Sequence, residues 1–186
     1  MQSEIENSLS ILKKGETLLY PTDTVWGIGC DATNYDAVSK VYEIKNRVES
    51  KSLVVLVNSL EMLSDYVKEI PLKVIEVLHK STSPTTIIYN NPIGFASNCV
   101  ASDNTIAIRI VKNEFCKQLI HQFAKPIVST SANISGNPTP KSFSEIDKAI
   151  LDSVDYVVNL HREEINSKSS TILKVNNDGS VLTIRK

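Results

Sequence analysis

Cysteine, histidine and aromatic residues are scarce in this chain, and each shortage closes off a class of protein. Three cysteines, Cys30, Cys99 and Cys116, stand in 186 residues. They are odd in number, widely spaced and without a Cys-x-x-Cys pair, so they read as reduced thiols with no disulfide partner. The histidines, His79, His121 and His161, show no metal-ligand spacing, and no metal site is expected from them. Aromatic residues make up 6%, thin for a protein that stacks single-stranded bases on exposed rings. A formal net charge of -1 gives no global basic field for nucleic acid, although it does not report how charge is distributed.

Long apolar stretches are missing too. The longest run, Leu53 to Val57, is far too short to span a bilayer, and Met1-Gln2-Ser3-Glu4 lacks the basic, then apolar, start of a signal peptide. A soluble, cytoplasmic protein with no membrane partner is the expectation. There is no hydrolytic triad, no His-Glu-x-x-His and no Walker loop. Gly27 and Gly29 do not complete a dinucleotide fingerprint, because Ala32 stands where the third glycine belongs.

What is present suits one globular domain over residues 1–186: hydrophobic residues are 41% and charged residues 22%. Ile5, Leu9 and Leu12 share a helical face, with Gly15 as a stop signal. Thr17 to Tyr20 reads as a strand, Asn34 to Lys45 as a helix, and Leu53 to Val57 as a strand buried on both faces. Leu60, Leu63 and Val67 suggest a helix, and Pro71 the start of another. Thr85 to Tyr89, Thr105 to Ile110 and Ile127 to Ser129 are strand-like, with a helix over Asn113 to Phe123. Ser142 to Glu145 spells a capping box for a helix reaching Leu151, and strands Ser170 to Val175 and Ser180 to Arg185 flank an Asn-Asp-Gly turn. Asn90 to Asn104 and His161 to Ser169 read as mobile loops. The alternation predicts an α/β domain with a twisted, mixed sheet.

Three polar clusters lie at strand or helix ends. The first, Pro21-Thr22-Asp23-Thr24-Val25-Trp26-Gly27, sets hydroxyls and an acid at a strand's carboxyl end, where open α/β sheets bind ligands; a turn with Thr and Asp as caps reads equally well. The second, Lys45-Asn46-Arg47 with Lys51, suits a polyphosphate, or a helix C-terminus carrying cations for its dipole. The third, Ser129-Thr130-Ser131-Ala132-Asn133-Ile134-Ser135-Gly136, offers small donors to phosphate or carboxylate oxygens, or is an ordinary polar turn. Arg109, within the apolar strand Ile106 to Ile110, calls for an anionic partner.

Taken together, the order and spacing of these clusters resemble the YrdC-type family of threonylcarbamoyl-adenylate synthases, from about Leu18 to Arg185. The resemblance implies an open, twisted α/β sheet with flanking helices and a central basic cavity, in the short, single-domain form of the family. It implies L-threonylcarbamoyladenylate synthesis from L-threonine, bicarbonate and ATP with release of pyrophosphate, and hand-over of the product to a threonylcarbamoyl-transferase complex acting on tRNA. By the same resemblance Thr24, Arg109, Ser129 and Ser170 contact threonine, with Leu56 at the rim of its pocket. Arg47, Lys51, Thr105, Ser131, Asn133, Thr139 and Arg185 contact ATP. Lys45, Arg47, Ser131 and Asn133 carry catalysis, Lys45 supplying positive charge near the reacting groups. Magnesium accompanies ATP, held mainly by phosphates and water, since no carboxylate cage is evident. The chain departs from the family's pattern at Val48 and Ser52, where proline is common, and at Ser81 to Pro84, where Trp-Pro-Gly-Pro is common. A non-catalytic RNA-binding module, or a paralogue of the same fold with another acceptor, are the competing readings.

Overall fold

A computed structural model describes residues 1–47, 53–166 and 169–186. Val48, Lys51 and Ser52 lie outside the described residues. In chain order the strands are β1 Leu18–Tyr20, β2 Gly27–Gly29, β3 Val54–Val57, β4 Thr85–Asn90, β5 Thr105–Ile110, β6 Ile127–Ser131, β7 Tyr156–Val157, β8 Thr171–Val175 and β9 Val181–Arg185. The helices are α1 Gln2–Lys13, α2 Tyr35–Ile44, α3 Leu60–Tyr66, α4 Leu72–Lys80, α5 Glu114–Phe123 and α6 Lys148–Ser153. Among the described residues the strands form one sheet in the order β7-β1-β2-β6-β3-β5-β4-β8-β9. It is mixed: β3 runs parallel to β5, β4 to β8 and β1 to β7, and the remaining pairs are antiparallel. No helix among the described residues is long and apolar enough to cross a membrane.

Side chains alternate across the pleat, and the two faces build two cores. Leu19, Ile28, Val55, Ile106, Ile108 and Val128 pack with Val38 and Val41 of α2, Leu63 of α3, Val74 of α4 and Ile150 of α6. Leu18, Tyr20, Leu56 and Ile127 meet Ile5 and Leu12 of α1 and Phe115, Leu119 and Ile120 of α5. Strands β4, β8 and β9 contribute nothing to this second cluster. Among the described residues no helix packs into this cluster over that end of the second face.

Helix starts follow local chemistry. Asn34, Ser59 and Asn113 each accept a backbone N–H of their own first turn through the side chain. At Ser142 the expectation fails. Its hydroxyl pairs with Ser144 at 3.0 Å, and Glu145 accepts the Lys141 N–H at 2.8 Å, closing only a 3₁₀ turn, Phe143–Glu145. The helix begins later, capped by Asp147, whose carboxylate accepts from Ala149 at 2.8 Å. The stretch Asn90 to Asn104 is not a loose loop either. The Asn98 amide donates to the Tyr35 carbonyl and the Ser39 hydroxyl at 3.0 Å each, and Cys99 is fully buried against α2 and its neighbours.

A strand the sequence reading did not anticipate, Gly27–Gly29, is wedged between β1 and β6. The Tyr20 hydroxyl crosses β2 to donate to the Val128 carbonyl at 2.8 Å, and burial pushes the phenol pKa up, so it stays a donor. Only a residue without Cβ leaves room, since a Cβ on Gly29 would sit 2.2 Å from that carbonyl and 2.6 Å from the Tyr20 ring. Gly29→Ala therefore forces β1, β2 and β6 apart. Overpacking of this kind costs about 1–3 kcal/mol or more. For a chain of this size the expected fall in Tm, read by thermal denaturation, is roughly 2–12 °C.

Candidate active site

The cross-strand register carries the site. Leu56 of β3 faces Arg109 of β5, Arg109 faces Thr86 of β4, Thr86 faces Ile172 of β8, and Ile172 faces Arg185 of β9. Residues paired in this way share a face. The row therefore starts beneath α5, at the buried Leu56, and runs out onto the uncovered half of the sheet. A neighbouring row pairs Val54 with Ser129, and Gly27 pairs with Ser131. Over these rows lies a cavity of about 380 Å³, within the usual range for small-molecule sites. Arg47, Arg109, Lys141 and Arg185 line it, and among the described residues no Asp or Glu does.

The first cluster supplies one wall through a tightly specified turn. The Thr22 hydroxyl accepts the Thr24 N–H at 3.0 Å and donates to the Val25 carbonyl at 2.8 Å. This aims Asp23 and Thr24 at Arg109. Arg109 Nη2 stands 3.0 Å from Asp23 Oδ1 and donates to Thr24 Oγ1 at 3.3 Å. Both members of the ion pair are buried, with side chains 5% and 9% exposed. Asp23 is further fixed by the Lys112 N–H at 3.2 Å, and the Cys116 thiol donates to the Pro21 carbonyl at 3.3 Å. Burial pushes that thiol well above its ordinary pKa, so it stays protonated and unreactive.

The far wall comes from β8 and β9. Thr86 donates to Ser170 Oγ at 2.8 Å, and the Ser170 carbonyl holds the Arg185 guanidinium at 3.3 and 2.9 Å. Ser129 faces the cavity over Gly27, where a Cβ would sit 3.0 Å from its hydroxyl oxygen.

Lys45, Asn46 and Arg47 form the C-terminal cap of α2. The Asn46 N–H donates to the Glu43 carbonyl at 2.9 Å and the Arg47 N–H to the Tyr42 carbonyl at 3.0 Å, the pattern of a Schellman motif. Asn46 takes the left-handed conformation (φ 47°) that this cap requires and that asparagine tolerates. The reversal sends the flanking cations different ways. Arg47 lines the cavity, with its pKa lowered by burial. Lys45 turns inward, is 1% exposed, and donates to the carbonyls of Ser131 and, at 2.7 Å, Asn133. Burial, with Arg47 adding to it, brings the Lys45 pKa down to about 8.

The cavity thus gathers Thr24, Arg47, Arg109, Ser129, Ser131, Thr139, Ser170 and Arg185. Four expected residues stand apart. Leu56 is fully buried in the second core, and Val54, two residues earlier on the same face, lines the cavity instead. Thr105 lies outside the lining, its hydroxyl donating to Asp103 at 2.6 Å. The Asn133 amide folds into its own loop, donating to Ile134 and Asn137 carbonyls at 3.0 and 2.8 Å. Lys45 contacts backbone only in the bonds just described. Besides Val54, two charged residues were not anticipated. Asp23 sat inside the first cluster, but its pairing with Arg109 spans the fold. Lys141 is a single basic residue after Pro140, and nothing in its neighbourhood marks it.

The family model described as Telomere recombination, for Sua5, YciO and YrdC, matches residues 10–186. A threonylcarbamoyl-AMP synthase of Pseudoalteromonas translucida is 35% identical over 164 residues, 84% of this chain and 86% of that one. A putative threonylcarbamoyl-AMP synthase of Methanocaldococcus jannaschii is 35% identical over 192 residues, 100% of this chain and 88% of that one. The crystal structure of P. abyssi Sua5 complexed with L-threonine shares the fold with a TM-score of 0.86 at 24% identity. That match takes in 97% of this chain and 53% of the Sua5 chain, so this chain spans about half its length.

The Asp23–Arg109 pair yields a stability prediction. Removing one partner of a buried pair leaves an uncompensated charge and costs about 3–5 kcal/mol. Asp23→Asn should show a loss of this size in urea denaturation. Adding Arg109→Met should recover much of it, because the stranded cation is gone; strictly additive losses would mean the two side chains do not interact.

Proposed function

Because the chain belongs to the Sua5/YciO/YrdC family, we propose that it is a threonylcarbamoyl-AMP synthase, forming threonylcarbamoyl-AMP and pyrophosphate from L-threonine, bicarbonate and ATP. The observation that carries this reading is a single cavity in which a buried arginine, with Thr24, Ser129 and Ser170, shares the lining with three further cations, Arg47, Lys141 and Arg185. A free amino acid needs a cation for its carboxylate and small polar groups for its amine and hydroxyl. A triphosphate needs several cations, with arginine the better fork.

In this reaction the threonine amine bonds to the carbon of bicarbonate with loss of water, giving an N-carboxylate. An oxygen of that carboxylate then bonds to the α-phosphorus of ATP as the bond to the bridging oxygen breaks, releasing pyrophosphate. Arg109 holds the threonine carboxylate, and Thr24, Ser129 and Ser170 meet its remaining polar groups. Arg47, Lys141 and Arg185 balance phosphate charge, and Ser131 and Thr139 add neutral donors. Catalysis rests on alignment and charge stabilisation rather than on covalent work by side chains. Magnesium arriving with ATP would supply further charge neutralisation; among the described residues the lining has no carboxylate to hold it, so phosphates and water would be its ligands. The product passes to a threonylcarbamoyl-transferase complex that modifies tRNA in the cytoplasm.

The test is mass spectrometry of a mixture of protein, ATP, magnesium, bicarbonate and threonine: threonylcarbamoyl-AMP is expected. Tight, salt-sensitive tRNA binding with no adenylate formed would instead favour an RNA-binding module. Arg47→Ala should fold normally and lower turnover on the order of 100-fold or more, as loss of one donor to developing charge does.

Amino-acid choice gives a further check. Valine matches threonine in shape but leaves a hydroxyl-binding group unpaired, a rejection of roughly 10⁴-fold, whereas serine lacks only a methyl, worth roughly 10–200-fold. The expected order in kcat/KM is threonine, serine, valine. Equal use of serine and valine, in parallel pyrophosphate-release assays, would remove the hydroxyl from the buried contacts.

A further inference from the structure

Lys45 makes three hydrogen bonds to one short segment. Its ammonium donates to the Ser131 carbonyl and, at 2.7 Å, to the Asn133 carbonyl, and its own carbonyl accepts the Ser135 N–H at 2.8 Å. The segment they grip leaves β6 and carries Ser131 on the cavity lining, with Thr139 a few residues on. From the other side the Ala132 N–H donates to the Trp26 carbonyl at 3.0 Å, and Ser131 pairs with Gly27 of β2. Lys45 itself does not line the cavity, although Arg47 does, and the left-handed Asn46 between them explains the divergence.

From this geometry we propose that Lys45 is a positioning residue: its buried ammonium anchors the Ser131–Ser135 segment to the end of α2, and acts on the nucleotide only through that segment. The inference rests on the ATP site proposed above. Its physical ground is the position of the charge. A buried cation costs several kcal/mol unless its surroundings answer it, and among the described residues no carboxylate lies within ion-pair distance of Lys45. Two backbone carbonyls answer it instead. The Ser131 carbonyl also accepts the Asn133 N–H at 2.9 Å, so the ammonium joins a turn that is already closed and fixes it against α2, while the two carbonyls answer its charge. A lysine poised to grip phosphate would keep its donors on the cavity surface. This one has turned at least two of them onto the chain behind it.

Lys45→Met keeps the apolar stem and removes the donors. In the ligand-free protein, amide hydrogen exchange across residues 131–137 should accelerate at least tenfold, while exchange in β3 and β5 stays as in wild type. KM for ATP should rise roughly 10-fold, with KM for threonine within about twofold. Asn133→Ala should raise the ATP KM as well, and the double variant should match the worse single variant, because both changes act through one loop. Lys45→Gln, which retains a shorter donor, should fall between wild type and Met, and stands in should the Met variant not fold. Unchanged loop exchange, or effects of Lys45→Met and Asn133→Ala that simply multiply, would overturn the anchor. The exchange measurement needs no substrate, so it decides the anchor even if the wild-type protein makes no adenylate. Adenylate synthesis with unaltered loop exchange would remove the anchor alone.

Discussion

A guanidinium inside the apolar strand Ile106–Ile110 cannot be left to itself, and much of this molecule is arranged to answer Arg109. Asp23 and Thr24 reach it from the turn after β1, which lies on the other side of β2, β6 and β3 in the sheet. To arrive there the turn must be rigid, and the Thr22 hydroxyl closes it from within. It must also be held down, and the start of α5 does this through the Lys112 N–H and the Cys116 thiol. One ion pair thus ties β1, β5 and α5 together. The consequence is preorganisation: these contacts fix the orientation of the arginine, so an anion bound there, as proposed above, would require little reorganisation.

The same constraint explains where the cavity lies. On the second face of the sheet α1 and α5 cover Leu18, Tyr20, Leu56 and Ile127, all apolar or aromatic. Along the row from Leu56, helix cover ends and polarity begins at the next strand, with Arg109 and then Thr86. A helix there would have to bury several uncompensated polar groups, which is costly. The cavity is the space that no helix fills. Its floor is deepened by Gly27, which leaves the Ser129 hydroxyl open to whatever occupies the site.

Several features were legible because they are settled within a few residues. The helix starts at Asn34 and Asn113, the periodicity of α1, α2 and α5, and the apolar run Leu53 to Val57 declare themselves by local chemistry. The Ser142 box misled because Asp147, five residues on, offers a competing cap, and local rules do not decide between two good starts. The strand Gly27–Gly29 went unread for a different reason: two glycines around one isoleucine carry little strand signal, and only the approach of the Tyr20 hydroxyl to the Val128 carbonyl shows why a strand needs Gly29.

The sequence by itself determined the α/β class, most element boundaries and the three polar clusters that turned out to surround one cavity. It also determined the family, through the order of those clusters. Only the tertiary structure decided which side chains in each cluster face that cavity. Lys45 and Arg47 are two residues apart and part ways at a left-handed asparagine; Val54 lines the site and Leu56 is core, though both point to one face. The partners that settle such questions are remote: Arg109 meets Thr24 across 85 positions of chain, and Lys45 meets Ser131 across 86. Propensity and capping act over a turn or a strand, whereas the direction a side chain takes depends on register and burial set by segments far along the chain.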